Sequence, residues 1–378
     1  MSHLSDDERI ELRDAARRLL VDRSSSGRVR ELLDDPDGFD RSLWSSMAEL
    51  GWPAIHIPAE LGGMGASYAD LAVILHELGR QVTPSPLVPS ALVGGSALIG
   101  ATNADLASEL LPDVAAGERL LAVALTGVGG SYDPHQLSVR WAAGSGSVTV
   151  NGAARFVLDA HVADHLVVAA TEDEGRVTLA VVDRLAPGVH VAVEPTIDRT
   201  RRLATVTLDD VTVPDARLLT EPGAATDLHG RIAAIGAIAM VCDAVGAAER
   251  ILEIATDYAK QRFQFGRPIG SFQAVKHHLA NMFTDVEASR AAAVHAVDVL
   301  DDGGDVRHAA AIAKSFAGPA CARVASLAIQ VHGGIGFTWE HDAHLFLKRA
   351  KLDEAMFGSP RRHRQHLASL LIDEQLAI

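Results

Sequence analysis

The chain has 378 residues, 48% hydrophobic and 22% charged, which allows a large core spread over two or three lobes. Its formal net charge of −15 excludes a nucleic-acid partner, which demands a basic surface. The longest apolar runs, 92–98 and 232–241, are too short and too Ala/Gly-rich to cross a bilayer, and no basic-then-apolar leader stands at the start. A cytoplasmic protein with no membrane partner is expected. Residues 8–22 and 41–50 are amphipathic and 70–78 carry apolar residues on a helical period, with Gly/Pro-rich turns at 58–65 and 82–89. From about 119 the pattern changes to short β-branched stretches at 120–125, 147–150, 165–169, 177–182, 190–193 and 203–208, which predicts an antiparallel barrel or sandwich. After Pro222 long Ala-rich helical segments return, and 291–300 and 309–331 have the smooth periodicity of an oligomerising bundle. The expected organisation is a helical domain at 1–118, a β domain at 119–222 and a helical bundle at 223–378.

Cys242 and Cys321 lie in Ala-rich helical stretches and read as small buried thiols of a reducing compartment. His341 with His344, and His363 with His366, have helical metal-ligand spacing but no third ligand, so no metal is expected. The glycines of Gly127-Val-Gly-Gly130 lack the strand, helix and distal acid of a dinucleotide loop. The basic run Arg361-Arg-His-Arg364 reads as a solvated helix face or as a phosphate contact.

Two segments carry more information. In Gln261-Arg-Phe-Gln-Phe-Gly-Arg-Pro-Ile-Gly-Ser-Phe-Gln273 one helix ends at a Gly/Pro turn and another opens, with Ser271 as the expected N-cap. Arg262 and Gln273 then flank one tight turn. A guanidinium fork beside an amide suits a phosphate diester, because Arg binds phosphate oxygens bidentately while the amide both donates and accepts. In Gln330-Val-His-Gly-Gly-Ile-Gly-Phe337, Gly333 and Gly334 close a helix and let backbone approach a ligand. An ordinary helical hairpin satisfies the spacing equally well.

Together the two segments resemble the C-terminal signature of the flavin-dependent acyl-CoA dehydrogenases. The resemblance runs nearly end to end: Glu49-Leu-Gly-Trp-Pro-Ala-Ile-His-Ile-Pro58, Leu61-Gly-Gly-Met-Gly65 and Glu77-Leu-Gly-Arg80 resemble the N-terminal helical domain, and Leu208-Asp-Asp-Val-Thr-Val-Pro214 the strand leaving the middle domain. It implies an α+β fold of three parts: N-terminal helical domain, middle β-barrel or sandwich, C-terminal four-helix bundle. It also implies FAD as cofactor, an acyl-CoA substrate, an electron-transferring flavoprotein as acceptor, and Arg262, Gln264, Phe265, Gln273, Gln330, Gly333 and Gly334 as FAD contacts supplied to a neighbouring subunit.

The chemistry so implied is α,β-dehydrogenation, in which a carboxylate removes the α-proton while the β-hydrogen leaves as hydride to the flavin. The base must reach its proton within hydrogen-bond range. At the two family positions for it the chain has Phe357, in Ala355-Met-Phe-Gly358, and Gly230, in Leu228-His-Gly-Arg231. Glu354 and Asp227 each stand three residues earlier, a displacement of about one helical turn, roughly 5 Å. In the middle domain the family's Glu-Pro segment with its Gly-Ser-Asp turn is replaced by Thr126-Gly-Val-Gly-Gly-Ser-Tyr-Asp133, and its Trp-Ile-Thr by Phe156-Val-Leu158 followed by Asp159. Leu158 has no hydroxyl to offer a flavin, and Asp159 puts negative charge where a reduced flavin would be anionic. Residues supplied to a neighbour are kept while those for the chain's own flavin and for proton abstraction are lost. That pattern resembles the non-catalytic subunit of the heterotetrameric acyl-CoA dehydrogenases of actinobacterial steroid catabolism, with the base supplied by another subunit. A homotetrameric enzyme with a relocated base and a flavin-free structural subunit are the alternatives. The stretch 232–248 is rich in Ala and Gly, which either leaves room for a bulky acyl group or lets helices pack closely.

Overall fold

The computed structural model describes residues 4–172 and 175–376. The first helix, α1 (Asp6–Arg23), is nucleated by a capping box: Glu8 N–H donates to Ser5 Oγ at 3.3 Å while Ser5 N–H donates to Glu8 Oε2 at 2.8 Å. It is followed by α2 (Ser26–Leu32) and by α3 (Arg41–Glu49), whose first turn is held by the Asp40 carboxylate. Then come α4 (Tyr68–Arg80), a π-helical stretch Val88–Gly94 running into α5 (Gly95–Ile99), and α6 (Ala104–Ala115), capped by Asn103.

Seven strands follow: β1 (Leu121–Ala124), β2 (Arg140–Ala143), β3 (Ser147–Leu158), β4 (His165–Thr171), β5 (Val177–Asp183), β6 (Val189–Glu194) and β7 (Leu203–Pro214). They form one curled sheet in the order β1-β4-β2-β3-β7-β6, with β5 paired to β4. The pairing is mostly antiparallel, but β1–β4 and β2–β4 run parallel, so a pure antiparallel barrel or sandwich is not what forms. Inward residues such as Val148, Val150, Ala154, Leu166, Val168, Val206 and Leu208 make its core. Strands β3 and β7 run on well past the apolar stretches that announce them. Gly152 does not end β3 but sits at a bulge with φ +125, where a Cβ would lie 2.2 Å from Ser138 O.

The rest is helical: α7 (Thr226–Gln261), the small hairpin β8 (Phe263–Gln264) and β9 (Arg267–Pro268), then α8 (Gln273–Asp301), α9 (Val306–His332), α10 (Ala343–Ala355) and α11 (Pro360–Leu376). α7 is longer than its apolar run. By length and composition it could cross a membrane, but 89% of its most apolar 18-residue window is buried inside the protein, as in a core helix.

Contacts divide the chain into two compact units. Among the described residues, one holds residue 4 and the stretches 32–71, 84–172 and 175–236, with the curled sheet; the other holds 5–31, 72–83 and 237–376, with the C-terminal helices around α9. Within the second unit the small residues are used for contact between backbones. A Cβ on Gly79 of α4 would lie 2.0 Å from Asp243 O of α7, and one on Gly246 of α7 would lie 2.0 Å from His76 O of α4. Nearby, Arg349 of α10, fully buried, donates Nε and one Nη to the Asp243 carboxylate at 2.9 and 3.1 Å, and that Nη also donates to Thr83 O at 3.1 Å. Cys242 and Cys321 are buried, and burial pushes both thiols up to about 12.

Candidate functional site

The predicted cofactor residues gather at one corner of the second unit, where α7 ends, β8 and β9 turn over, and α9 gives way to a 3-10 turn (Gly333–Phe337). Arg262 N–H donates to Tyr258 O at 2.8 Å, the last helical bond of α7, and Arg262 O accepts from Ile269 N–H at 2.8 Å, which closes the hairpin. Phe265 and Gly266 form its tip with φ +52 and +76, the two positive values that a tight hairpin requires. Glycine adopts this freely and phenylalanine does not, yet the Phe265 ring is 91% exposed, touching Phe272 edge-on at 6.0 Å.

The expected N-cap at Ser271 does not form. Ser271 lies in a 3-10 turn, Phe272 occupies the cap position without a side-chain bond, and α8 begins at Gln273. Ser271 Oγ is buried and without a hydrogen-bond partner among the described residues. The first turn of α8 therefore keeps its N–H groups open, beside an exposed Gln273.

Arg262, Gln264, Gln273, Gln330, Gly333 and Gly334 are all exposed. The Arg262 guanidinium makes no ion pair or hydrogen bond among the described residues. Gly333 has φ +64 and ψ −140, a backbone open only to glycine, and a Cβ on Gly333 or Gly334 would meet nothing within 4 Å. The corner thus offers a free guanidinium, three amides and bare backbone, and Phe337 and Phe263 on its own segments are exposed as well. That donor set fits a diphosphate and its ribose.

Three rings outside the predicted cofactor set tie the corner together. The Tyr258 ring lies 4.6 Å from the His332 ring, which in turn lies 4.3 Å from His341. His332 is 3% exposed, and its Nδ1–H donates to Ala328 O at 2.7 Å. Its burial lowers its pKa and keeps it neutral. The only sequence signal for it was its place beside the Gly pair.

The base positions are filled differently. Phe357 is 7% exposed, with φ +55 beside Gly358 at +102, so the loop keeps a left-handed backbone around an apolar side chain. His363, its pKa lowered to about 4 chiefly by burial, donates Nε2–H to Phe357 O at 3.0 Å. Glu354 is held at 2.8 Å by Lys351 on its own helix. Gly230 is a plain helical residue of α7, and Asp227 is exposed in the first turn of that helix.

In the middle domain Phe156 (φ +59) folds its ring over Gly130, where a Cβ would lie 2.9 Å from it, and under the Arg155 guanidinium at 4.8 Å. Arg155 is itself paired with Glu194, and Leu158 is buried. A cavity of about 380 Å³ in the first unit, lined by Thr102, Asn103, Asp215, Leu218, Thr220 and Glu221, contains none of the predicted residues. Among the described residues no His, Cys, Asp and Glu cluster could hold a metal.

Residues 6–118 match the N-terminal domain of acyl-CoA dehydrogenases and residues 231–372 match their C-terminal domain. The acyl-CoA dehydrogenase IpdE2 of Mycobacterium tuberculosis is 34% identical over 96% of this chain and 97% of its own length. The chain belongs to the acyl-CoA dehydrogenase family. Members of this family are FAD-dependent oxidoreductases, and the curled sheet between two helical parts is their fold. A solved variant of the Tcur3481-Tcur3483 steroid acyl-CoA dehydrogenase superposes with a TM-score of 0.89 at 30% identity, covering 98% of this chain and 99% of that one. The ChsE4-ChsE5 complex of Mycobacterium tuberculosis gives 0.90 at 27% identity, covering 98% and 99%.

Proposed function

We propose that this chain is the completing subunit of a heteromeric acyl-CoA dehydrogenase: it supplies one end of an FAD site seated mainly in a partner subunit, which also supplies the catalytic base. In this reading Arg262 pairs with the FAD diphosphate, Gln264, Gln273 and Gln330 hydrogen-bond its polar edge, Phe265 covers it, and Gly333 and Gly334 let backbone N–H groups approach it. FAD, when bound, takes the hydride from the β-carbon of an acyl-CoA, and an electron-transferring flavoprotein accepts the electrons onward. The parts proposed are 1–118, 119–222 and 223–378, and the compartment proposed is the cytoplasm.

One observation carries the reading: the cofactor-contacting residues are exposed and unpaired, while both base positions hold groups that cannot take a proton, Phe357 and Gly230. Two similar proteins support the heteromeric assembly, since one is a ChsE4-ChsE5 complex and the other a steroid acyl-CoA dehydrogenase built from Tcur3481 and Tcur3483. By the same similarity the proposed substrate is a steroid-derived acyl-CoA.

The test is the visible spectrum of the chain expressed alone and together with a second acyl-CoA dehydrogenase subunit. The reading expects a colourless protein alone and a yellow, dye-reducing complex on co-expression. A yellow homotetramer that reduces dye with acyl-CoA by itself would replace it with an enzyme of relocated base. A complex that stays free of flavin would leave only a structural role.

A further inference from the structure

We propose that His332 is a positioning residue for the cofactor corner: wedged between Tyr258 and His341, it holds the end of α7 that presents Arg262 in register with the turn that presents Gly333 and Gly334. This rests on the reading of that corner as an FAD site. The guanidinium and the bare backbone come from segments about seventy residues apart, joined in sequence only through α8 and α9. A diphosphate touching both needs them fixed relative to each other, since each degree of freedom frozen on binding weakens it.

The structure has one continuous tie between them. Arg262 N–H is bonded to Tyr258 O, the Tyr258 ring rests at 4.6 Å on His332, and His332 directly precedes Gly333. The bond from Nδ1–H to Ala328 O fixes the tautomer, and His341, brought round by the turn, makes a second, tilted ring contact at 4.3 Å. Buried Nε2 has no partner among the described residues, a cost that a residue present for packing alone, such as Leu, would avoid. What His offers over Leu is a ring held by a hydrogen bond on one nitrogen and by tilted contacts with two neighbouring rings.

The experiment uses the flavin-bearing assembly as purified, stripped of FAD and titrated with FAD by fluorescence, with the melting temperature of the stripped assembly as control. His332→Ala is expected to weaken FAD binding about tenfold, and His332→Phe, which keeps a ring in contact but not the Ala328 bond, about threefold. The effects of His332→Ala and Arg262→Ala should add to less than their sum in the double variant, because without the guanidinium there is little left to align. Full additivity, or FAD affinity of His332→Ala within about twofold of wild type, overturns the proposal. If Arg262→Ala itself leaves FAD binding unchanged, the cofactor reading fails; if only the His332 variants do, that reading stands and this one falls. Should His332→Ala not fold, His341→Ala removes one ring from the half-exposed end. It should weaken FAD in the same direction by a smaller factor, and no weakening there also overturns the proposal.

Discussion

The corner around Arg262 and the loop around Phe357 lie in the same helical unit, yet they are built in opposite ways. At the corner the polar side chains point outward without internal partners, and the glycines face open space. At the Phe357 loop the backbone is left-handed at 357 and 358, but the side chain is apolar and buried and the carbonyl is tied to His363. A residue whose partner is another molecule is left unsatisfied in its own chain, whereas a position that has lost its chemistry is filled from within. The middle domain follows the second pattern, with Phe156 lying over Gly130 and Arg155 taken up by Glu194.

The comparison presumes a rigid frame beneath both regions, and its hardest test is the pair that fixes α7 to α10. Asp243→Ala leaves the Arg349 guanidinium buried without this carboxylate, and should cost the second unit about 3–5 kcal/mol in a denaturant or thermal melt. A loss under about 1 kcal/mol would mean that this unit is not held as described. Phe357→Glu comes next. The left-handed backbone already accepts a non-glycine residue, so the substitution should fold, but it buries a carboxylate and should cost about 2 kcal/mol near neutral pH. Burial raises a carboxyl's pKa, so this cost should shrink as pH falls toward 5, where the group is neutral. A cost independent of pH would show that the position is open to water and had not been filled. By contrast, Arg262→Ala in the isolated chain should change stability by no more than about 0.5 kcal/mol, since the guanidinium is exposed and unpaired. A larger loss would erase the distinction between the two regions.

Much of this was legible in the sequence because it rests on local patterns. The helices at 41–49 and 68–80 and most of the strands follow from periodicity, and the signature residues from spacing and from the family resemblance. Long-range geometry was not legible. The sequence shows a strand at 147–150 only, whereas β3 runs on through a bulge at Gly152, where the Ser138 carbonyl leaves no room for a side chain. Ser271 reads as a cap, but the chain turns one residue too early for its hydroxyl to reach α8. The small residues of α7 fit either a roomy pocket or close packing; Gly246 against the His76 carbonyl gives close packing at that position. His332 has no sequence pattern of its own, because its partner Tyr258 is more than seventy residues away.

The smallest predicted effect concerns the charge network of the same unit, where His76 of α4 sits between two carboxylates, 2.8 Å from Glu249 and 3.4 Å from Glu77. Burial alone would lower the His76 pKa, but the hydrogen bonds to Glu249 and Glu77 outweigh it and leave the pKa raised above 6.5. Burial likewise opposes the charge on Glu249, and the bond to His76, with Arg290 and Arg80 nearby, overcomes it and lowers that carboxyl to about 2. A raised histidine contributes stability that is complete below 6.5 and lost as pH climbs through its folded pKa. A lowered carboxyl contributes stability that is complete above 4.5 and lost as pH falls toward 2. The pair is therefore worth most between about pH 4.5 and 6.5. His76→Gln, which keeps a donor but not the charge, should flatten the decline above about pH 6.5 in a series of melts and also weaken the acid limb, because the bond to His76 is the largest of the interactions that lower Glu249. It should leave the geometry of the Arg262 corner unchanged, so FAD affinity at about pH 7 should stay at the wild-type value. An alkaline decline equally steep in wild type and variant would assign it to groups other than His76.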